Sequence, residues 1–260
     1  MSYVIPIGLF ALLGLVSGVL LTAASKYFAV KTDERLEAVK EALPQVNCGS
    51  CGYSGCADYA AAVVAGAPCN LCNPGGAGTA ARLAEIMGVE DEGAQAHRAF
   101  VKCAGDCSKA QHKYVFGGIS SCAACNKYYN GSKGCTSGCL GYGDCVRVCP
   151  QDAISVKDRI AKVDIRKCIG CGLCVRECPN DLIVLRPINQ RFEVACASTD
   201  PGRKTRTLCT SGCIGCGLCA RNCPGGAITV KENHAVIDGE LCLGCGLCIQ
   251  KCPTGAIIEV

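Results

Sequence analysis

Apolar and polar positions change period along the chain. Val4 to Ser25 carries no charged residue, and a helix of that length spans roughly 33 Å, about the hydrocarbon thickness of a bilayer. Pro6 lies near its start, and Gly8, Gly14 and Gly18 recur through it. Spaced glycines are tolerated in membrane helices and let another helix approach. Lys26, Lys31 and Arg35 follow at once, with no Lys or Arg before them. Residues 1–26 therefore read as a transmembrane anchor, single-pass, with the bulk of the chain cytoplasmic by the positive-inside rule. A cleaved signal peptide fits less well, because the basic start is missing and the apolar run is long. Residues 31–43 put Leu36, Val39, Ala42 and Leu43 on one helical face and predict a solvated amphipathic stalk over 27–46. An Ala-rich run at 57–66 and the segment 77–87 predict two more helices, the second followed by an acidic loop to residue 100 that carries no chemistry. Later the period becomes two. AISVKDRIAKVD and AITVKENHAVID alternate β-branched residues and predict two short hairpins.

Composition changes this picture at one point. The chain has 260 residues, enough for several small domains, and 27 of them are Cys. An odd count gathered in C-x-x-C clusters points to metal ligation rather than a disulfide scaffold, and hence to a reducing compartment. A net charge of +4 and the absence of Trp give no basic or aromatic platform for nucleic acid.

The clusters have a grammar. Cys48, Cys51 and Cys56 are spaced C-x2-C-x4-C, and Cys72, with a turn of its own at Asn73-Pro74-Gly75-Gly76, completes a four-thiolate site in a small domain over 47–76. Cys69 is a fifth cysteine nearby. Further on, Cys168, Cys171, Cys174 and Cys178 form C-x2-C-x2-C-x3-C-P, as do Cys213, Cys216, Cys219 and Cys223, and Cys242, Cys245, Cys248 and Cys252. This is the bacterial ferredoxin run, whose fourth Cys serves the other cluster of a pair. Cys149 and Cys223 lie 74 positions apart, as do Cys178 and Cys252, which gives two modules, 135–187 and 209–260, joined by a linker at 188–208 and preceded by a connecting region at 77–134. In the first module Tyr142 occupies the middle Cys position, and Cys135 is expected to supply the missing thiolate.

Crossed ligation then yields four clusters: Cys135, Cys139, Cys145 and Cys178; Cys149, Cys168, Cys171 and Cys174; Cys213, Cys216, Cys219 and Cys252; Cys223, Cys242, Cys245 and Cys248. Ile169, Leu173, Ile214, Leu218, Leu243 and Leu247 are expected to cover them and limit water. Cys209, 74 positions after Cys135, reads as a relic or as a ligand to something else. With Cys48, Cys51, Cys56 and Cys72 the count is five [4Fe–4S] clusters. Cys103, Cys107 and Cys122 could form a sixth, with Cys125, Cys196 or Cys209 as the fourth ligand; buried free thiols are the other reading. Four thiolates also suit zinc, which a colourless, zinc-loaded protein would establish. The fold class is thus α+β: an N-terminal transmembrane helix, a small α-helical Fe–S domain and two tandem bacterial-type 2[4Fe–4S] ferredoxin modules.

The apolar N-terminal helix, LPQVNCGSCGYSGC…NPGG, GCLGYGDCVRVCP, GCIGCGLCARNCP and CPTGAI, in that order, resemble the B subunit of the Rnf complex, the membrane-bound ion-translocating ferredoxin:NAD oxidoreductase. The resemblance implies an electron-transfer subunit that accepts electrons from reduced ferredoxin and relays them to other membrane and cytoplasmic subunits, ultimately to NAD, while the complex moves ions. This chain alone would only transfer electrons. A cluster wire feeding a hydrogenase or CO dehydrogenase is the alternative. Chain order suggests entry at the C-terminal module and exit at the Cys48 cluster beside the tether.

Overall fold

An uninterrupted apolar run has only one way to satisfy its backbone without water, and α1 (Val4–Tyr27) takes it. Ile7–Ser25 is long and apolar enough to cross a membrane and is not buried against the rest of the chain. The computed structural model describes residues 4–27, 33–91 and 93–260; Lys31 and Thr32, at the start of the expected stalk helix, lie outside them. Asp33 caps α2 (Glu34–Ala42) by accepting from the Arg35 amide. The helix is amphipathic as its periodicity requires, but it is not a solvated stalk. Val39 and Leu43 pack with Tyr59 and Val63 of α3 (Cys56–Val64) and Leu83 of α4 (Gly76–Met87). Burying that apolar face is worth roughly 1.5–3 kcal/mol per large side chain, more than a solvated helix can recover.

Past α4 come β1 (His97–Val101), α5 (Cys122–Asn126), α6 (Asp144–Arg147), β2 (Ile154–Lys157), β3 (Ile160–Val163), α7 (Leu173–Glu177) and β4 (Ile183–Pro187). Then follow β5 (Phe192–Val194), α8 (Gly202–Leu208), α9 (Leu218–Arg221), β6 (Ile228–Lys231), β7 (His234–Ile237), α10 (Leu247–Lys251) and β8 (Ile257–Glu259). They build two similar halves. Each has a hairpin, β2–β3 or β6–β7, and a second antiparallel pair, β1–β4 or β5–β8. The hairpin turns put Asp158 and Arg159, or Glu232 and Asn233, at positive φ, the two-residue geometry that matches strand twist. Each turn carbonyl seats on a glycine. A Cβ on Gly141 would lie 2.5 Å from the Arg159 oxygen, and one on Gly215 2.6 Å from that of Asn233. These glycines are 74 positions apart, so the duplication extends to backbone packing.

The strand pairing crosses the expected boundaries. Residues 97–100, expected as loop, form β1 with Val101 on the edge of β4, Val101 lying opposite Ile183. The expected linker supplies β5, with Val194 opposite Ile257, and α8. The first half's core joins Ala99, Val101, Ile154, Leu182 and Ile183 to its cysteines. The second joins Phe192, Val194, Ile228 and Ile257 to its own.

Candidate metal centres

All 27 cysteines are free thiols, and the fold gathers most of them into sets of four. In the first domain Asn47 accepts from the Cys56 amide at 2.8 Å and so starts α3. The buried Tyr59 hydroxyl donates to the Pro68 carbonyl at 2.8 Å and accepts from the Leu71 amide, which fixes the loop that delivers Cys72. Burial pushes the Cys72 thiol up to about 11, with Cys56, Cys51 and Cys48 adding to the rise. Cys69 borders this set, beside Tyr59.

Cys149, Cys168, Cys171 and Cys174 line one cavity of about 320 Å³, and Cys223, Cys242, Cys245 and Cys248 another of about 340 Å³. Cys219 sits among Cys213, Cys252 and Cys216, its thiol raised mainly by burial. The three groupings are those that crossed ligation predicts.

The remaining two are not. A cavity of about 370 Å³ is lined by Cys122, Cys139, Cys145 and Cys178, without Cys135. Buried Asp144 explains the substitution. Its carboxylate accepts from the amides of Cys122 and Ala123 and from the Ser121 hydroxyl, so it holds the first turn of α5 with Cys122 on the cavity wall. Burial pushes the Cys145 thiol up to about 12, with Cys139 and Cys122 adding to the rise.

Cys135 instead lines a cavity of about 410 Å³ with Cys103, Cys196 and Cys209. Cys103 and Cys196 face each other across an antiparallel bridge. A Cβ on Gly105 would meet Cys209 Sγ at 2.9 Å and Cys103 Sγ at 3.9 Å, so a side chain there would fill the space between the thiols. The expected sixth set is thus redrawn. It keeps Cys103, takes both Cys196 and Cys209 and gains Cys135; Cys122 belongs elsewhere. Cys107 is exposed and Cys125 fully buried, and neither lines either cavity.

Symmetry accounts for the new set. Cys103 and Cys196 each stand two residues past the valine that pairs β1 with β4 or β5 with β8, and Cys135 and Cys209 each stand four residues before a quartet. The cavity is lined by two equivalent pairs, one from each half. Val101 to Cys135 spans 34 positions but Val194 to Cys209 only 15. The extra segment carries Cys122, which hides the equivalence of Cys103 and Cys196 from a fixed 74-residue offset.

The pockets suit clusters better than single ions. No three His, Cys, Asp or Glu among the described residues converge on one metal-ion position, whereas a zinc tetrathiolate holds every sulfur about 2.3 Å from one atom. Backbone amides point at sulfur, as bound clusters require: Ala99 to Cys168 at 3.4 Å, Ala153 to Cys149 at 3.3 Å, Leu182 to Cys178 at 3.5 Å, Ala235 to Cys213 at 3.4 Å and Ala256 to Cys252 at 3.3 Å. The Cys139 amide donates to Cys103 Sγ at 3.4 Å and ties two sets together.

The sets form a continuous series. Arg176 donates to the Cys48 carbonyl, Cys139, Cys145, Cys168 and Cys174 share one core, the Cys139 amide reaches Cys103, and Cys196, Cys213, Cys219 and Cys248 share another core, with Cys223 packed against it. The order in space is the Cys48, Cys149, Cys122, Cys103, Cys213 and Cys223 quartets, and the new set stands where the halves meet. At the far end the expected apolar cover is incomplete: Leu243 is 71% exposed, and Cys216 and Cys245 are exposed.

A family of 4Fe-4S dicluster domains matches residues 133–182 and 212–256, a second family of that description matches 167–228, and one whose description names an Fe-S cluster matches 43–74. The chain is similar to the B subunit of the Na(+)-translocating ferredoxin:NAD(+) oxidoreductase complex of Acetobacterium woodii, 43% identical over 91% of this chain and 72% of that one. It is also similar to the B subunit of the proton-translocating ferredoxin:NAD(+) oxidoreductase complex of Clostridium ljungdahlii, 42% identical over 87% and 81%. The B subunit of the ion-translocating oxidoreductase complex of Methanosarcina acetivorans is 38% identical over 90% and 89%.

Proposed function

This chain belongs to the B subunits of the Rnf complexes, the ion-translocating ferredoxin:NAD(+) oxidoreductases, and from that premise we propose that it accepts electrons from reduced ferredoxin and relays them to partner subunits, ultimately to NAD. Multiple [4Fe–4S] centres and an electron-transfer role follow from the family and from the dicluster domains. The number and the ligands are our reading. Six clusters are held by Cys48, Cys51, Cys56 and Cys72; by Cys149, Cys168, Cys171 and Cys174; by Cys122, Cys139, Cys145 and Cys178; by Cys103, Cys135, Cys196 and Cys209; by Cys213, Cys216, Cys219 and Cys252; and by Cys223, Cys242, Cys245 and Cys248. Bound clusters supply one-electron exchange without transfer of a chemical group.

The residues of the chain do the rest. Thiols raised by burial give up their protons only to metal, so loading and folding are coupled. The amide donors named above stabilise charge on sulfur, and the apolar walls keep water out. The observation that carries the reading is the unbroken series of quartets. It runs from an end where Cys216 and Cys245 are exposed, open to a soluble donor, to the domain that follows α1. We read α1 as a single-pass anchor with the soluble part cytoplasmic, the N-terminal domain as the exit and the second half as the entrance.

The test uses the full chain in detergent, mixed anaerobically with reduced ferredoxin, with bleaching of the cluster absorbance followed in time. Rapid bleaching in the wild type and in Cys48→Ser, with delivery to the partner subunits lost only in the variant, supports this direction. Unimpaired delivery by Cys48→Ser overturns it.

A further inference from the structure

Lys133 is the one strongly basic side chain sealed into the wall of the cavity between the halves. It is 1% exposed. Its Nζ donates to the Gly105 carbonyl at 2.6 Å and to the Cys139 carbonyl at 2.7 Å. The first lies in the wall of the Cys103 cavity, and the second belongs to a ligand of the neighbouring Cys122 set. The stem runs against Gly138, where a Cβ would come within 2.7 Å of Lys133 Cδ. The ammonium is therefore held in one place.

No ion pair among the described residues includes Lys133. The acids nearby are engaged elsewhere: Asp106 is paired with Lys109 and Asp144 with Arg147. Lys102, the other lysine of the cavity wall, acts on Glu193. A buried ammonium without a counter-charge is strongly disfavoured, and two carbonyls satisfy its donors without neutralising it. Cluster-bound thiolates would supply the missing counter-charge. Cys103, Cys135 and Cys209 line the same cavity as Lys133 and the Gly105 carbonyl it holds, and Cys139 carries the other carbonyl. The arrangement is one-sided, because the position 74 residues on is Thr207.

We propose that Lys133 is a fixed positive charge that raises the reduction potential of the Cys103 quartet and so biases electron passage between the two halves. The proposal rests on the six-cluster reading above. A four-thiolate [4Fe–4S] centre is a dianion that becomes a trianion when it gains one electron, so a nearby cation favours the reduced form, and net charge is among the determinants of potential. Placed at the junction, Lys133 makes the bridge a station that electrons enter readily from either side. It is a tuning residue and ligates nothing.

The experiment is an EPR-monitored redox titration of the full chain in detergent, for wild type, Lys133→Gln and Lys133→Arg, with iron counted on each. With iron retained, Lys133→Gln is expected to lower one midpoint so that its reduced-to-oxidised ratio at fixed potential falls about tenfold, which is about 59 mV for one electron; Lys133→Arg stays near wild type. Loss of about four irons from Lys133→Gln alone would assign Lys133 to assembly of the centre rather than to its potential and overturn the proposal. Unchanged midpoints in an iron-replete Lys133→Gln, or equal effects of both variants, overturn the proposal. A wild type with fewer than about 24 irons would instead count against the six-cluster reading.

Discussion

The two halves share a register of 74 positions, the same hairpin turn and the same glycine under it, yet their cysteines meet different surroundings. In the first half Cys139, Cys145, Cys168, Cys171 and Cys174 are all buried, with the N-terminal domain on one side and the second half on the other. Asn73 donates to the Gly170 carbonyl at 2.6 Å and accepts from the His97 amide at 2.9 Å, and Arg176 donates to the Cys48 carbonyl. The second half has a neighbour on one side only, and Cys216 and Cys245 reach solvent. Similar local sequence thus gives an interior set in one place and an open terminus in the other. Position in the series, more than the ligand motif, sets access to water and partners, two of the levers on cluster potential.

The largest expected effect separates the halves by attack from outside. Brief anaerobic ferricyanide treatment of the full chain should release about 8 of about 24 irons first, with the signals of the second half vanishing before those of the first. Even loss from both would break the comparison. A smaller effect tests the substitution that distinguishes the first half. Asp144→Ala frees the start of α5 and should cost about four irons; position 218, its counterpart, is Leu, so nothing equivalent can be removed from the second half. Retention of all iron would mean that Cys122 is delivered without Asp144. The smallest effect concerns the extra neighbour of the first half. Asn73→Ala removes its side-chain hydrogen bonds to Gly170 and His97 and should cost about 1–3 kcal/mol, seen as a Tm lower by several degrees on full-iron protein. An unchanged Tm would show that Arg176 and packing suffice.

The ferredoxin-type quartets were legible because ligand spacing is local. Three cysteines in C-x2-C-x2-C wrap one site whatever the rest of the chain does, and the fourth follows from the crossed pattern. The Cys103 set was not legible, because its four cysteines come from four distant points joined only when β1 pairs with β4 and β5 with β8. The extra segment before Cys135 compounds this, by putting Cys122 at the offset where Cys103 is the structural equivalent. β1 itself, HRAFV, has no turn signals around it and a partner 82 to 90 positions away. The amphipathic face of α2 was legible, but periodicity names no partner, so α3 and α4 could not be read from it. Exposure at Leu243 follows from its place at the end of the series, which no local motif records.

The most direct measurement is iron and sulfide per chain on anaerobically prepared wild type, Cys135→Ser and Cys122→Ser, with EPR on each. About 24 irons are expected in the wild type and about 20 in each variant, with different signals missing from the two. About 20 irons in the wild type, or the same missing signal in both variants, would contradict a four-thiolate centre joining the halves.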